Sequence, residues 1–194
     1  MTDGGLAQDY LRKLSELAAE VANHMAADLE AVAEEVYRTL QNGGKLLFCG
    51  NGGSAADAQH LATEYVVRFR HDRRPLPALA LTTDTSLLTA AANDLGFQSV
   101  FARQIEALGR EGDLLFLHST SGESENLVRA AEVAPSLGIQ TIAFLAKGGG
   151  RLASMVDRCV VIPTDSTAHA QELQLACGHI ICQLAETRFL EADE

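Results

Sequence analysis

The chain of 194 residues has no tryptophan, four prolines and only 5% aromatic residues, and its four cysteines, Cys49, Cys159, Cys177 and Cys182, form no CxxC pair. Three of those thiols fall inside apolar patterns, which makes them small buried side chains of a reducing compartment rather than a disulfide framework. Positive charge is also scarce. Lys and Arg number 15 against 26 Asp and Glu, a formal net charge of −11 that argues against general affinity for nucleic acid or for an anionic membrane surface. An N-terminal apolar export segment is missing, as is any apolar run of about 18 residues, so the chain reads as soluble, unexported and cytoplasmic. Repeats, low-complexity tracts and linkers are missing too.

What the chain does have is 47% apolar residues, enough at this length for one well-filled core and one domain spanning 1–194. Residues 1–44 carry two helical stripes, Leu6, Tyr10, Leu14, Leu17, Val21 and then Leu29, Val32, Val36, Leu40, the second ended by Gly43-Gly44. Over 45–194, five short apolar runs alternate with helical segments: Leu46 to Cys49, Ala78 to Leu81, Leu114 to Leu117, Thr141 to Ala146 and Cys159 to Ile162. Continuously apolar strands of this kind predict a parallel sheet covered by helices on both faces. A long helix from about Thr167 to Leu190 closes the chain. Two leading helices set on such a sandwich need a further apolar partner, so oligomerisation is expected. Arg70 to Pro77 and Lys147 to Gly150 are the expected mobile loops, and the basic run 68–74 reads as a solvated connection with Arg68 as its exception.

Three segments carry chemistry. Cys49-Gly50-Asn51-Gly52-Gly53-Ser54 follows the first strand and opens a helix near Ser54, where glycines allow close backbone approach and a helix start presents free N–H groups to an anion. On that helix His60 and Glu64 lie four apart, on one face, with Arg68 one turn further. The second segment, His118-Ser119-Thr120-Ser121-Gly122-Glu123-Ser124, reads as a hydroxyl-rich loop between a strand and a helix, suited to phosphate; helix capping alone is the plainer reading. Ligands of open α/β sheets bind beyond the carboxyl ends of the strands, so both loops could face one crevice. The third is the final helix, where Gln171 and His179, eight apart, span about 12 Å and could only just converge on one ion. Two imidazoles, a carboxylate and an amide oxygen would suit zinc.

Taken in order, Gly50-Asn51-Gly52-Gly53-Ser54, Asp57-Ala58-Gln59-His60 to Glu64, Asn93-Asp94, Phe101-Ala102-Arg103-Gln104, Ser119-Thr120-Ser121-Gly122 with Ser124, and Gln171-Glu172 with His179 to Cys182 resemble the phosphoheptose isomerases of the sugar isomerase (SIS) family. The resemblance covers nearly the whole chain. It implies a flavodoxin-like three-layer sandwich with a five-stranded parallel sheet, a homotetramer, and conversion of sedoheptulose 7-phosphate to D-glycero-D-manno-heptose 7-phosphate for lipopolysaccharide or related surface glycans. It also implies one zinc ion per subunit on His60, Glu64, Gln171 and His179, with Glu64 and His179 as acid and base. Substrate contacts implied in the same way are Asn51, Gly52, Gly53, Ser54, Glu64, Arg68, Asn93, Asp94, Ser119, Thr120, Ser121, Ser124 and Gln171. The chain departs from the family pattern at Glu123 and at Ala168-His169-Ala170. Glu123 sets a carboxylate beside the hydroxyl loop, which opposes phosphate unless it points outward. Other readings are a SIS-type binding protein associated with the replication initiator, or a SIS enzyme for another sugar phosphate; the presence of both Glu64 and His179 favours catalysis.

Overall fold

The computed structural model describes residues 3–192, which begin with α1 (Asp3–His24) and α2 (Ala26–Gln41). Leu29, Val32, Val36 and Leu40 recur at helical spacing and are all buried, so α2 packs along its whole length. By contrast α1 buries Leu17 and Val21 and leaves Leu6 77% and Leu11 64% exposed.

Strands and helices then alternate: β1 (Leu46–Gly50), α3 (Gly53–Val66), β2 (Ala78–Ala80), α4 (Thr85–Leu95), α5 (Val100–Leu108), β3 (Leu114–His118), α6 (Glu125–Val133), β4 (Gln140–Leu145), β5 (Arg158–Val161) and α7 (Thr167–Ala192). All pairings are parallel, in the order β2-β1-β3-β4-β5. This is the flavodoxin-like winding, with its switch point between β1 and β3. The strands expected from the apolar runs are all present, shifted by about one residue at their ends.

Side chains alternate across the sheet as the pleat requires. Leu46, Phe48, Leu114, Phe116, Ile142 and Phe144 face the core shared with α2, α3 and α7. Leu47, Cys49, Leu115, Leu117, Ala143 and Leu145 face α5 and α6. Phe48 stacks on Phe116 at 4.9 Å between ring centroids, and Phe116 on Phe144 at 6.1 Å. This ladder of rings crosses the three central strands, so Phe116→Ala should cost about 3–5 kcal/mol.

Three expectations change here. His118 belongs to β3 and not to the loop after it: it pairs with Gly50 and Phe144 and is completely buried. Neighbouring strands on both sides offer β3 one more rung, and the backbone takes it. The segment 70–77 is not a free loop either. Glu186 on α7 accepts hydrogen bonds from the backbone N–H groups of Arg70 and His71 and from Arg73, fastening it from below. The turn 147–150 is also tied, with the Lys147 N–H donating to the Thr164 carbonyl and Gly149 to Ala146.

Candidate active site

The chain leaves β1 toward α3 on one face of the sheet and leaves β3 toward α6 on the other, so a crevice opens between the two loops. Asn51 and Asn126 close its floor with a reciprocal amide pair, each Nδ2 donating to the other's Oδ1 at 2.9 Å. The loops after β1 and β3, expected to be able to face one crevice, are joined there through Asn126, a buried residue of α6 that the motifs did not single out. Ser119 Oγ accepts from the Gly122 N–H at 3.0 Å and Ser121 Oγ from the Glu123 N–H at 3.2 Å, which folds the hydroxyl loop on itself. Ser124 is the N-cap residue of α6 but makes no side-chain capping bond, so capping does not account for its hydroxyl. The Glu123 carboxylate turns away and accepts from the Arg151 N–H at 2.8 Å.

Helix α7 lies across this crevice. The Gln171 amide sits over Gly53 so closely that a Cβ there would come within 2.5 Å of Nε2. Gln174, fully buried, extends its Nε2 toward the Ser119 carbonyl at 3.5 Å. Further along, Gly178 lets α7 approach α3, because a Cβ on it would meet the Leu61 side chain at 2.7 Å. One residue later the helices bring their functional groups together. His60 Nε2 lies 2.7 Å from His179 Nε2 and 3.2 Å from Glu64 Oε1.

These three side chains offer one ligand atom each, all within 4.8 Å of one another. Two imidazole nitrogens at that separation repel unless a proton or a cation lies between them. Burial lowers the pKa of His179, the neighbouring His60 lowers it further, and Glu64 opposes both. The neutral form, with a lone pair to donate, is therefore favoured. Two imidazoles and one carboxylate form the borderline donor set that zinc takes, with a position left open. Gln171 is held against Gly53, at the first turn of α3, about 10 Å before His60 along an ideal helix.

Other expected residues stand apart from this cluster. Arg68 is exposed and pairs with Asp72 at 2.6 Å. Asn93 and Asp94 are exposed on α4, with Asn93 Nδ2 donating to Asp94 Oδ1 at 2.7 Å. Asp57 opens the motif that contains His60 but was given no role of its own; its Oδ2 is buried without a hydrogen-bond partner, and burial raises its pKa against the pull of His60.

A 2-1-3-4-5 parallel sandwich with its ligand groups gathered at the switch point has the architecture of a SIS domain, and the family model of the SIS domain matches residues 9–146. The phosphoheptose isomerase of Akkermansia muciniphila is 50% identical over 162 residues, covering 84% of this chain and 86% of that protein. The structure of a phosphoheptose isomerase from Francisella tularensis superposes with a TM-score of 0.93 at 36% identity, covering 96% of this chain and 100% of the other. That of the Neisseria gonorrhoeae phosphoheptose isomerase gives 0.91 at 38% identity over the same shares. The chain belongs to the phosphoheptose isomerase family of SIS proteins, and it is an isomerase.

Proposed function

We propose that the protein interconverts sedoheptulose 7-phosphate and D-glycero-D-manno-heptose 7-phosphate, supplying heptose for a surface glycan. The observation that carries this reading is the His60, Glu64 and His179 cluster, bound through α7 to the hydroxyl loop across one crevice. Ketose becomes aldose when a proton leaves C1 and another arrives at C2, through an enediolate. Glu64, whose Oε1 lies 3.2 Å from His60 Nε2, takes the C1 proton and returns it to C2. His179 carries the hydroxyl proton from O1 to O2. His60, Glu64 and His179 would hold one zinc ion per subunit, with Gln171 joining them if its amide leaves Gly53, and the ion would supply electrophilic polarisation to the substrate when bound.

At the other end of the sugar, Ser119, Thr120, Ser121 and Ser124 hold the phosphate together with the N-terminus of α6. Binding energy from this remote group orients the reacting carbons. Asn51, Gly52, Gly53 and Ser54 line the crevice between, with Gln171 above them. Arg68, Asn93 and Asp94 reach substrate from the rim or from an adjoining subunit. A homotetramer agrees with the exposed Leu6 and Leu11 of α1 and with an apolar groove of about 340 Å³ between α1, α2 and α7. Among the described residues no helix is long and apolar enough to cross a membrane, which agrees with a cytoplasmic enzyme. The test is proton NMR of purified protein with sedoheptulose 7-phosphate. Appearance of the aldose anomeric signals supports the reading, and their absence with zinc present refutes it.

A further inference from the structure

We infer that the buried pair Arg73 and Glu186 is a positioning device for catalysis, setting Glu64 on α3 against His179 on α7. The inference rests on the reading of Glu64 and His179 as the acid and base. The pair's side chains are 3% and 2% exposed, with Arg73 Nε 3.1 Å from Glu186 Oε1. Removing two charges from water is costly, and an apolar pair of equal volume would fill the same space without that cost. What the apolar pair lacks is direction.

The Arg73 guanidinium donates through Nη2 to the Glu64 carbonyl at 2.7 Å and through Nη1 to the Tyr65 carbonyl at 2.9 Å. Both carbonyls lie in the last turn of α3, where no intrahelical donor remains for them. The planar fork therefore fixes the helix end at the residue that carries the proposed base. Its partner Glu186 lies seven residues, about two turns, beyond His179 on α7. The same carboxylate gathers the N–H groups of Phe69, Arg70 and His71 at 3.2, 3.0 and 3.3 Å. That seats the Phe69 ring against the His179 imidazole, with centroids 5.5 Å apart and planes inclined by 27°. One hydrogen-bonded assembly thus touches the backbone of Glu64 and the ring of His179. It spans the gap that a proton and a cation must share.

The test compares full-length wild type with Arg73→Lys, with the double variant Arg73→Met and Glu186→Leu, and with Phe69→Leu. Lysine keeps the charge but cannot bridge two carbonyls and a carboxylate, so kcat should fall at least about tenfold with KM within about threefold. The double variant leaves no buried charge unpaired but takes the acceptor from the Phe69, Arg70 and His71 N–H groups and the Arg73 donors from the Glu64 and Tyr65 carbonyls, so it should melt below wild type and lose kcat as Arg73→Lys does. Zinc affinity by chelator competition should weaken about tenfold in both. A folded double variant with wild-type kcat and zinc affinity would make the pair a structural anchor only and overturn the inference. Should that variant not fold, Phe69→Leu decides. It should lower kcat severalfold at unchanged KM and melting temperature, and an unchanged kcat overturns the inference. If wild type does not turn over sedoheptulose 7-phosphate, the substrate reading fails by itself, and the zinc measurement still tests the positioning.

Discussion

His118 offers a prediction whose size follows from its surroundings. The imidazole is completely buried, its centroid lies 5.0 Å from that of Phe144 and 6.2 Å from that of Phe48, and neither ring nitrogen has a hydrogen-bond partner. Burial alone brings its pKa down from 6.5 to about 4. The unfolded chain therefore binds a proton between these two values that the folded chain refuses. Stability contributed by the neutral ring is complete above pH 6.5 and is lost as pH falls toward 4, a cost at pH 4.5 of about 2–3 kcal/mol from this one group. His118→Phe fits the ring stack and has nothing to protonate. At pH 7.5 it should be as stable as wild type or more so, since it removes two unpaired polar atoms. At pH 4.5 it should exceed wild type by a further 2–3 kcal/mol, roughly, because the proton uptake is gone. Urea unfolding of both proteins every half unit across this range gives the difference directly, and carboxylates common to both cancel. Parallel stability curves within about 0.5 kcal/mol would refute the reasoning. They would mean that water reaches the ring or that the unfolded chain shields it equally.

The site yields four more predictions. Glu64→Gln should lower kcat at least about a hundredfold with circular dichroism and assembly unchanged, since it removes only the proton-accepting charge. A residual rate above about a tenth of wild type would refute the base assignment. His60→Ala should lose bound zinc, measured by metal analysis of purified protein, because one of the two imidazoles that meet at 2.7 Å is gone. Ser121→Ala should raise KM for sugar phosphates, and lower kcat as well if the lost contact orients the reacting end. Glu123→Asn should leave phosphate binding nearly unchanged, because the carboxylate faces the Arg151 N–H; tighter binding on titration would show that it faces the crevice.

How much of this was legible in the chain depends on the range over which each feature is decided. A strand buried on both faces must be apolar throughout, so Leu46 to Cys49 and Leu114 to Leu117 announced themselves within a few residues. The meeting of His60 with Glu64 is likewise local, one helical turn. Burial within the basic run was not. Arg68 looked like the inward residue because it continues the helical spacing, yet α3 ends at Val66 and Arg68 turns out to pair with Asp72. Arg73 goes inside instead, and the reason sits 113 residues away in Glu186, whose carboxylate gave no hint of its address in an otherwise regular helix. His118 was misplaced for a related cause: a polar residue before a hydroxyl loop reads as loop, and only the rungs offered by Gly50 and Phe144 extend β3 through it. Glu123 shows the same dependence in reverse. Its charge beside the loop looked like a conflict with phosphate, but the strand β4 brings the turn 147–150 close enough for Arg151 to supply a backbone N–H. A carboxylate that already has that donor is turned toward the Arg151 N–H, so under the proposed reading the departure costs phosphate binding little, and the loop's hydroxyls are the groups left to meet an anion.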